Sequence, residues 1–180
     1  LGCFVDDPAD LAHLPFLRER CASLHAVPIA PRRRKLRALA ALAGDGPLTF
    51  AYHRDARLDA WVRARRAAHR FAFEFAYSSG VAPYLAGATA PRVVDLVDLD
   101  AEKWRLYAAR RRGVMRRLYE REARTLAAAE GRIARTAALT LLVSEAEAHE
   151  LRSRPGVPGE RVAVVPNGID TAVFDPALAP

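Results

Sequence analysis

The sequence of 180 residues contains only two cysteines, Cys3 and Cys21, and one methionine. Two cysteines are too few for a disulfide framework, so a reducing compartment is expected and both thiols are predicted to serve as packing groups. No apolar run approaches the roughly 18 residues of a membrane-spanning helix, and no signal peptide is recognisable. The five histidines are scattered without metal-site spacing, so no metal is predicted.

The chain also lacks the short motifs of several functional classes. It has no zinc-finger spacing, no aromatic RNA-binding signature and no compact helix-turn-helix pattern, so no nucleic-acid partner is expected. The G-x-G-x-x-G fingerprint of nucleotide-binding oxidoreductases is absent. Ser78 and Ser79 lack a G-x-S-x-G frame, which argues against a hydrolase nucleophile. Internal repeats and low-complexity linkers are absent as well.

Positive charge, in contrast, is abundant, with a net charge of +7 and a pI of about 10.1. Basic clusters occupy residues 32–35, 63–70, 110–112 and 116–117. Such a surplus attracts nucleic acid, anionic lipid head groups or phosphorylated substrates. A competing interpretation places these arginines on solvated helix faces. A non-catalytic basic module that binds nucleic acid or an anionic membrane is therefore the alternative function.

Predicted strands and helices alternate along the chain. Extended segments are predicted at residues 1–5, 27–30, 48–53, 71–77, 92–99, 139–143 and 161–165. Helices are predicted at residues 7–24, 32–43, 55–69, 81–85, 102–135 and 145–152. A bend or an interruption is expected at Gly113, and Glu122 and Glu130 are expected to pair with neighbouring arginines at helical spacing. This order predicts an α/β fold with a Rossmann-like, doubly wound, mostly parallel sheet in one domain over residues 1–180.

Polar residues follow the last predicted strand at a sharp turn. Pro166 ends the strand, and Asn167 with Gly168 provides the tolerance of positive φ that a tight turn needs. Asp170 follows immediately, so an amide and a carboxylate lie at the carboxyl end of a strand. Ligands bind at that end in open parallel sheets. A plain turn with no ligand is the competing interpretation.

Two further strands end in the same way. Ser144 is a natural N-cap, and Glu145 and Glu147 follow in the first turn of a helix, where carboxylates favour the positive end of the helix dipole. The strand over residues 92–99 leads into Asp98, Asp100, Lys103 and Trp104. Because parallel strands share one carboxyl edge, these side chains are predicted to line a cleft together with Ser78, Ser79 and Gly80.

Several of these segments carry a family resemblance. Residues 119–135, 139–152 and 161–170, with Phe174 and Pro176, resemble the N-terminal domain of glycosyltransferase family four, which has the GT-B fold. More narrowly, YSSGVAPYL at residues 77–85 and VDLVDLDAEKWRLYA at residues 94–108 are similar to the exosortase (PEP-CTERM)-associated sugar transferases of exopolysaccharide loci.

The resemblance implies the acceptor-side domain of a retaining glycosyltransferase. Such an enzyme moves a sugar from a nucleotide-sugar co-substrate to a glycan or lipid-linked acceptor, without a metal or other cofactor. The chain starts at Leu1 in what resembles a mid-sheet strand, so it is expected to be a fragment that lacks the first strand, its glycine-rich loop and the C-terminal donor domain. Alone it is expected to be inactive, and the enzyme to be cytoplasmic or peripheral on the inner face of the plasma membrane.

The resemblance also suggests roles for individual residues. Family members commonly place a histidine at the junction that holds Asp98 and Asp100 here, and this sequence has none at that point. The two aspartates are the predicted catalytic residues, which orient an acceptor hydroxyl or stabilise developing positive charge. For Asp100, helix capping is the competing interpretation. The predicted substrate-binding residues are Ser78, Ser79, Gly80, Lys103, Trp104, Ser144, Glu145, Asn167, Gly168 and Asp170.

Overall fold

The structure is a computed structural model that describes residues 1–171 and residue 174; Pro176 lies outside them. Within these residues, helices alternate with strands. The strands are β1 (Gly2–Val5), β2 (His25–Pro28), β3 (Glu74–Tyr77), β4 (Arg92–Val97), β5 (Leu139–Leu142) and β6 (Val162–Val164). The α-helices are α1 (Leu14–Arg20), α2 (Pro31–Ala40), α3 (Leu48–His53), α4 (Ala56–Ala68), α5 (Asp100–Ala109), α6 (Gly113–Thr136) and α7 (Glu145–Ser153). Short 3-10 helices occupy Pro8–His13, Ala41–Ala43, Ser79–Leu85 and Gly159–Arg161.

The strands form two parallel sheets. β1 pairs with β2, whereas β3, β4, β5 and β6 lie side by side in chain order. A crossover connection must join each parallel pair, and helices provide it here. The predicted parallel, Rossmann-like α/β fold is confirmed. The structure adds that the β1–β2 pair forms a sheet of its own.

The main core lies between the four-stranded sheet and helices α6 and α7. Val94 and Leu96 alternate along β4 and are both buried, as the period of two in a strand requires. They pack in one cluster with Leu142 of β5, Ala134 of α6 and Leu151 of α7. Each fully buried large aliphatic side chain contributes about 1.5–3 kcal/mol, so this cluster is the main source of stability for the sheet.

Helix α4 contacts both sheets. Buried Leu58 packs on β1 at Gly2, where an added Cβ would lie 2.8 Å from Leu58 Cδ1. Further along the same helix, Arg66 donates to the Glu74 carboxylate of β3 through Nε at 2.9 Å and Nη2 at 2.6 Å, and to the Tyr84 carbonyl at 2.9 Å. The helix therefore links the small sheet to the edge strand of the large one.

The segment Leu48–His53 is helix α3, so its prediction as an extended segment is wrong. Glu122 of α6 explains the difference, because its carboxylate accepts hydrogen bonds from Leu48 N at 2.7 Å and from Thr49 N and Thr49 Oγ1 at 2.8 Å. These amides open the helix and have no partner within it. Glu122 does have a neighbouring arginine, with Arg121 Nη1 at 4.0 Å from its Oε2, but this pair is not at the predicted helical spacing, and only 1% of the Glu122 surface is exposed.

Strand β3 is shorter than predicted and covers Glu74–Tyr77 rather than residues 71–77. Its register pairs Glu74 with Arg92, which places Pro91 beside Phe73. Proline has no N–H to donate, so the ladder ends there. Phe73, Phe75 and Tyr77 project from one side of this edge strand and are exposed.

The long helix predicted over residues 102–135 is interrupted before Gly113 and forms two helices, α5 and α6, so of the two outcomes expected at Gly113 the interruption is confirmed. Gly113 has φ of +60°, a left-handed conformation that glycine adopts at little cost, and the chain reverses there. Trp104 of α5 then packs edge-on against Tyr119 of α6, with ring centroids 5.1 Å apart. Near the N-terminus, the predicted helix over residues 7–24 is a 3-10 helix followed by α1, which ends at Arg20.

The contribution of Glu122 to the fold is testable. We expect Glu122→Ala to lower the free energy of unfolding by about 3 kcal/mol, because it leaves two buried backbone N–H groups and a hydroxyl without their acceptor. Urea denaturation followed by circular dichroism measures the loss. Glu120→Ala is the matched control on the same helix: its carboxylate is exposed and pairs with Arg116, so the change should be within about 0.5 kcal/mol. Equal effects of the two substitutions would contradict the capping role of Glu122.

Candidate active site

The carboxyl ends of β3, β4, β5 and β6 meet at one edge of the large sheet. Backbone hydrogen bonds continue to that edge across a register shift between β4 and β5 at Asp95–Val97: Ser78 N donates to Asp95 O at 2.7 Å, Val143 N to Val97 O at 3.0 Å, and Val165 N to Leu142 O at 2.9 Å. The segments that follow the four strands therefore begin side by side. This edge is where parallel α/β sheets bind ligands.

Backbone strain is concentrated at this edge. Among the described residues, the non-glycine positions with positive φ are Ser78 at 82° and Val97 at 66°, which lie at the ends of β3 and β4. Such a conformation is an outlier for a β-branched residue such as valine. The Asp95 carboxylate accepts from Val97 N at 2.9 Å and holds the irregular backbone in place. Strain of this kind clusters at functional sites, where surrounding structure compensates for it.

A polar cluster occupies the edge beyond β3 and β4. Ser79 Oγ donates to Asp100 Oδ2 at 2.5 Å, and Lys103 Nζ lies 3.1 Å from Asp100 Oδ1 and 3.9 Å from Asp98 Oδ2. Ser79 is completely buried, whereas about half of the Asp98 side chain is exposed, at 47%. Burial disfavours the charged form of Lys103, but its hydrogen bond to Asp100 and the charges of both aspartates outweigh this and raise its pKa.

Asp100 bonds to side chains rather than capping its own helix. It is the first residue of α5, and no side-chain capping bond is formed at the preceding residue, Leu99. The Asp100 carboxylate is instead shared between Ser79 and Lys103. The structure therefore presents Asp100 as a fixed, partly exposed carboxylate.

Two carboxylates from other helices hold the loop that carries both aspartates. Glu147 Oε1 of α7 accepts from Leu99 N at 2.9 Å, and Glu130 Oε1 of α6 accepts from Ala101 N at 3.0 Å. Glu147 is itself fixed by Ser144, whose Oγ donates to its Oε2 at 2.7 Å. Predicted site residue Ser144 thus caps α7 and orients a carboxylate that reaches the loop after β4.

Glu130 is the more buried of these two carboxylates, with no exposed surface. Burial raises its pKa, and this effect is opposed by the hydrogen bond from Arg154 Nη1 at 2.9 Å. Its predicted pairing with an arginine on the same helix is wrong, because Arg154 follows the end of α7. Glu130 therefore ties α6, the start of α5 and the end of α7 together.

His53 lies beside the polar cluster, a position that was not predicted from the sequence. An added Cβ at Gly80 would be 2.6 Å from His53 Nδ1, so predicted site residue Gly80 allows the imidazole to lie against the loop after β3. Nδ1 bonds to the Thr49 carbonyl at 2.9 Å, which makes Nδ1 the protonated nitrogen of the neutral ring. Burial lowers the pKa of His53.

A network behind His53 fixes the segment that carries it. Tyr84 Oη donates to the His53 carbonyl at 2.7 Å and accepts from Asp55 N at 2.6 Å. Asp55 Oδ2 pairs with Arg34 Nη2 at 3.1 Å, and Arg34, which is buried, also donates to the Tyr52 carbonyl at 2.9 Å. Helix α2 is thereby attached to the segment between α3 and α4.

Next to His53 is a largely apolar groove with a volume of about 420 Å³. It lies between helices α2 and α3 on one side and α5 and α6 on the other. Trp104, a predicted site residue, lines it one helical turn beyond Asp100. The lining residues are Lys35, Ala38, Leu39, Leu48, Thr49, Tyr52, His53, Trp104, Leu118, Tyr119 and Glu122. The groove and the polar cluster adjoin one another through His53 and Trp104.

The remaining predicted site residues lie outside the cluster of Ser79, Asp98, Asp100 and Lys103. Glu145 is on the surface of α7 and pairs with Arg152 at 3.0 Å. Asn167, Gly168 and Asp170 follow β6 and are exposed. Ser78 accepts from Gly80 N through its Oγ at 3.3 Å and so shapes the turn after β3.

Sequence reasoning did not place His53, Glu130 or Glu147 at the site, because Glu130 was expected to pair with an arginine on its own helix and Glu147 to interact with the dipole of the helix after Ser144. A signal for Glu147 was available, because Ser144 and Glu147 form the S-x-x-E spacing of a capping box. For His53 the only local signal was Pro47, a residue common at the start of a helix. Nothing near Glu130 in the sequence indicates that its charge is buried.

The described residues hold no group of three or more His, Cys, Asp or Glu side chains that could bind a metal ion. Over residues 1–171 and 174, no helix has the length and apolar character needed to cross a membrane.

The fold and the site define a class: a parallel α/β protein with a polar, strained site at the carboxyl edge of its sheet, where enzymes of this architecture bind their substrates. The family follows from comparison with known proteins. A family model described as Glycosyltransferase Family 4 matches residues 22–173, and the chain belongs to that family. Its general function is accordingly glycosyl transfer, with a sugar donor and an acceptor as substrates. A search of curated proteins finds no match.

The network around Asp55 predicts a pH dependence of stability. Hydrogen bonding from Arg57, then the charges of Arg57 and Arg34, lower the pKa of Asp55 from 3.8 to about 2, against the opposing effect of burial. A lowered folded-state pKa stabilises the fold above pH 3.8, and this contribution is lost as the pH falls towards 2. We therefore expect Asp55→Asn to be less stable than the wild type near neutral pH, and the difference to shrink over this interval.

Urea denaturation at a series of pH values measures that difference. Asp59→Asn is the matched control, an exposed aspartate on the same helix that pairs with Arg63 at 2.7 Å. It should stay within about 0.5 kcal/mol of the wild type throughout. A difference between Asp55→Asn and the wild type that is constant with pH would contradict the assigned ion pairs.

Proposed function

We propose that the chain is the acceptor-side domain of a retaining glycosyltransferase, with Asp98 and Asp100 at its reaction centre. The observation that supports this most directly is the Ser79–Asp100–Lys103–Asp98 cluster at the strained edge of the sheet. Beside it lies a groove with an indole, and aromatic faces are common partners of sugar rings and other apolar ligand surfaces. Because the chain belongs to a glycosyltransferase family, the reaction proposed for this cluster is the transfer of a sugar.

Each member of the cluster has a distinct part in the proposal. Asp98 is the more exposed carboxylate, and it accepts a hydrogen bond from the acceptor hydroxyl. That bond orients the attacking oxygen and increases its electron density. Asp100 is held by Ser79 and Lys103, and its charge stabilises the positive charge that develops at the anomeric carbon. Lys103 limits the repulsion between the two carboxylates.

The substrates and the setting are proposals as well. A nucleotide sugar is the donor, bound by a second Rossmann-like domain of the same enzyme, and no metal or other cofactor is required. The acceptor is a glycan or a lipid-linked glycan in exopolysaccharide assembly, and the enzyme works in the cytoplasm, with peripheral attachment to the inner face of the plasma membrane. The similarity of residues 77–85 and 94–108 to exosortase-associated transferases supports this setting.

The alternative, a basic module that binds nucleic acid through its arginines, has less support. Several arginines bond within the protein: Arg34, Arg66 and Arg154 are each largely buried against carboxylates and backbone carbonyls. Part of the positive charge therefore has a structural use. A charge-driven binder also has no need of a fixed carboxylate cluster at the sheet edge.

Substitution of Asp98 tests the proposal in the enzyme encoded by the complete reading frame. We expect Asp98→Asn to lower kcat by about 10²-fold or more while the Kd for the nucleotide-sugar donor changes less than threefold, because Asp98 acts on the acceptor hydroxyl. Steady-state kinetics and donor titration provide the two numbers. Circular dichroism verifies that the variant is folded.

Glu102→Gln is the matched control for Asp98→Asn. Glu102 is also an acidic residue at the start of α5, but it pairs with Arg105 at 2.7 Å instead of joining the cluster. We expect near wild-type kcat for this variant. Unchanged kcat in Asp98→Asn, or an equal loss in both variants, would refute the proposed role of Asp98.

A further inference from the structure

We infer that the groove beside His53 binds the hydrocarbon chain of an amphiphilic acceptor whose phosphate-bearing head lies at the groove's basic side. The inference rests on the proposed function and names the acceptor class: a single isoprenoid or alkyl chain linked through phosphate to the group that receives the sugar. Three observations carry it, namely the lining of the groove, its charges and its continuity with the polar cluster.

The lining of the groove suits an apolar chain. Leu39, Leu48 and Leu118 contribute aliphatic surface, and Tyr52, Trp104 and Tyr119 contribute aromatic surface. Its volume of about 420 Å³ is within the range of about 300–1,000 Å³ that is typical of small-molecule sites. Leu39 remains 52% exposed, so the groove presents apolar surface to solvent. A sugar alone would leave most of that apolar surface exposed to water.

The charges at the groove favour an anionic head. Lys35 is the cation in its lining, and within residues 1–171 and 174 no ion pair to Lys35 is formed. Arg32 and Arg33 precede it on α2 and are exposed. The acid in the lining, Glu122, directs its carboxylate to the N-terminus of α3, where three hydrogen bonds occupy it. A phosphate therefore meets positive potential near Lys35.

Continuity with the polar cluster connects the groove to glycosyl transfer. His53 lines the groove and lies against Gly80, next to Ser79. Trp104 lines the groove and follows Asp100 by one turn of α5. An acceptor with its chain in the groove and its phosphate near Lys35 would thus direct the group that receives the sugar towards Asp98 and Asp100. A neutral glycan acceptor would use the cluster but not the apolar lining.

Binding of soluble alkyl phosphates to the folded chain tests the inference without any transfer reaction. Isothermal titration with hexyl phosphate and octyl phosphate, below their micelle concentrations, should give saturable 1:1 binding. Each buried methylene should tighten binding about fourfold, so octyl phosphate should bind about 15-fold tighter than hexyl phosphate. Octanol and inorganic phosphate, which each lack one half of the ligand, should bind at least tenfold more weakly than octyl phosphate.

Two residues on α2 provide a matched pair of variants. Leu39 lines the groove, whereas Leu36 is outside the lining and is 68% exposed. Leu39→Asp should weaken octyl phosphate binding at least tenfold, and Leu36→Asp less than twofold. Ala38→Phe, which fills the groove without adding charge, should also weaken binding at least tenfold and covers the case in which Leu39→Asp does not fold.

The other outcomes would overturn the inference. No saturable binding of octyl phosphate, or equal losses in Leu39→Asp and Leu36→Asp, would exclude the groove as the chain site. Binding to anionic phosphatidylglycerol vesicles without binding to monomeric octyl phosphate would assign this face to membrane adsorption instead.

The inference and the proposed function can fail separately. Asp98 is outside the groove lining, so Asp98→Asn should leave octyl phosphate binding unchanged. Loss of kcat in Asp98→Asn together with no alkyl phosphate binding would remove the groove assignment alone. Intact kcat in Asp98→Asn together with chain-length-dependent binding would remove the catalytic role of Asp98 alone.

Discussion

The hydrogen bonds from Leu99 N and Ala101 N to the carboxylates of Glu147 and Glu130 set the position of the loop between β4 and α5. That loop carries Asp98 and Asp100, so the candidate site depends on it. A backbone N–H at a helix start has no partner inside the helix, and a carboxylate is a strong acceptor for it. Because the two acceptors come from α7 and α6, the loop is fixed to both helices that cover the sheet.

A buried carboxylate also accepts hydrogen bonds from the start of a helix that lines the groove. Glu122 of α6 caps α3 in the way that Glu130 of α6 caps the start of α5. The amphipathic helix α6 therefore positions two other helices, α3, which ends at His53, and α5, through two buried carboxylates that are two turns apart. Burial of these charges is costly without partners, and the backbone amides supply partners that a side-chain cation would supply less specifically. The positions of both the polar cluster and the apolar groove therefore depend on α6.

Much of the fold was readable from local sequence, and the exceptions share a cause. The alternation of strands with helices predicted the parallel sheet, and the polar residues after its strands, with the Ser144 cap of α7, predicted its polar edge, where Ser79 and Asp100 do meet. Helix α3, and with it His53, was missed because the acceptor that opens the helix lies more than 70 residues away, at Glu122. Glu130 was misassigned for the same reason. Periodicity identifies an amphipathic helix, but it does not indicate which remote amide a buried carboxylate will contact.

Amide hydrogen exchange at Leu99 and Ala101, followed by NMR, tests the central claim most directly. If the carboxylates hold the loop, both amides exchange slowly in the wild type. Glu147→Ala should then speed exchange at Leu99 more than tenfold, as expected for loss of a hydrogen bond to a charged group, while core amides such as that of Leu142 are unaffected. Glu145→Ala, one helical position from Ser144, should change nothing at Leu99. Rapid exchange at Leu99 in the wild type, or exchange indifferent to Glu147→Ala, would contradict the account.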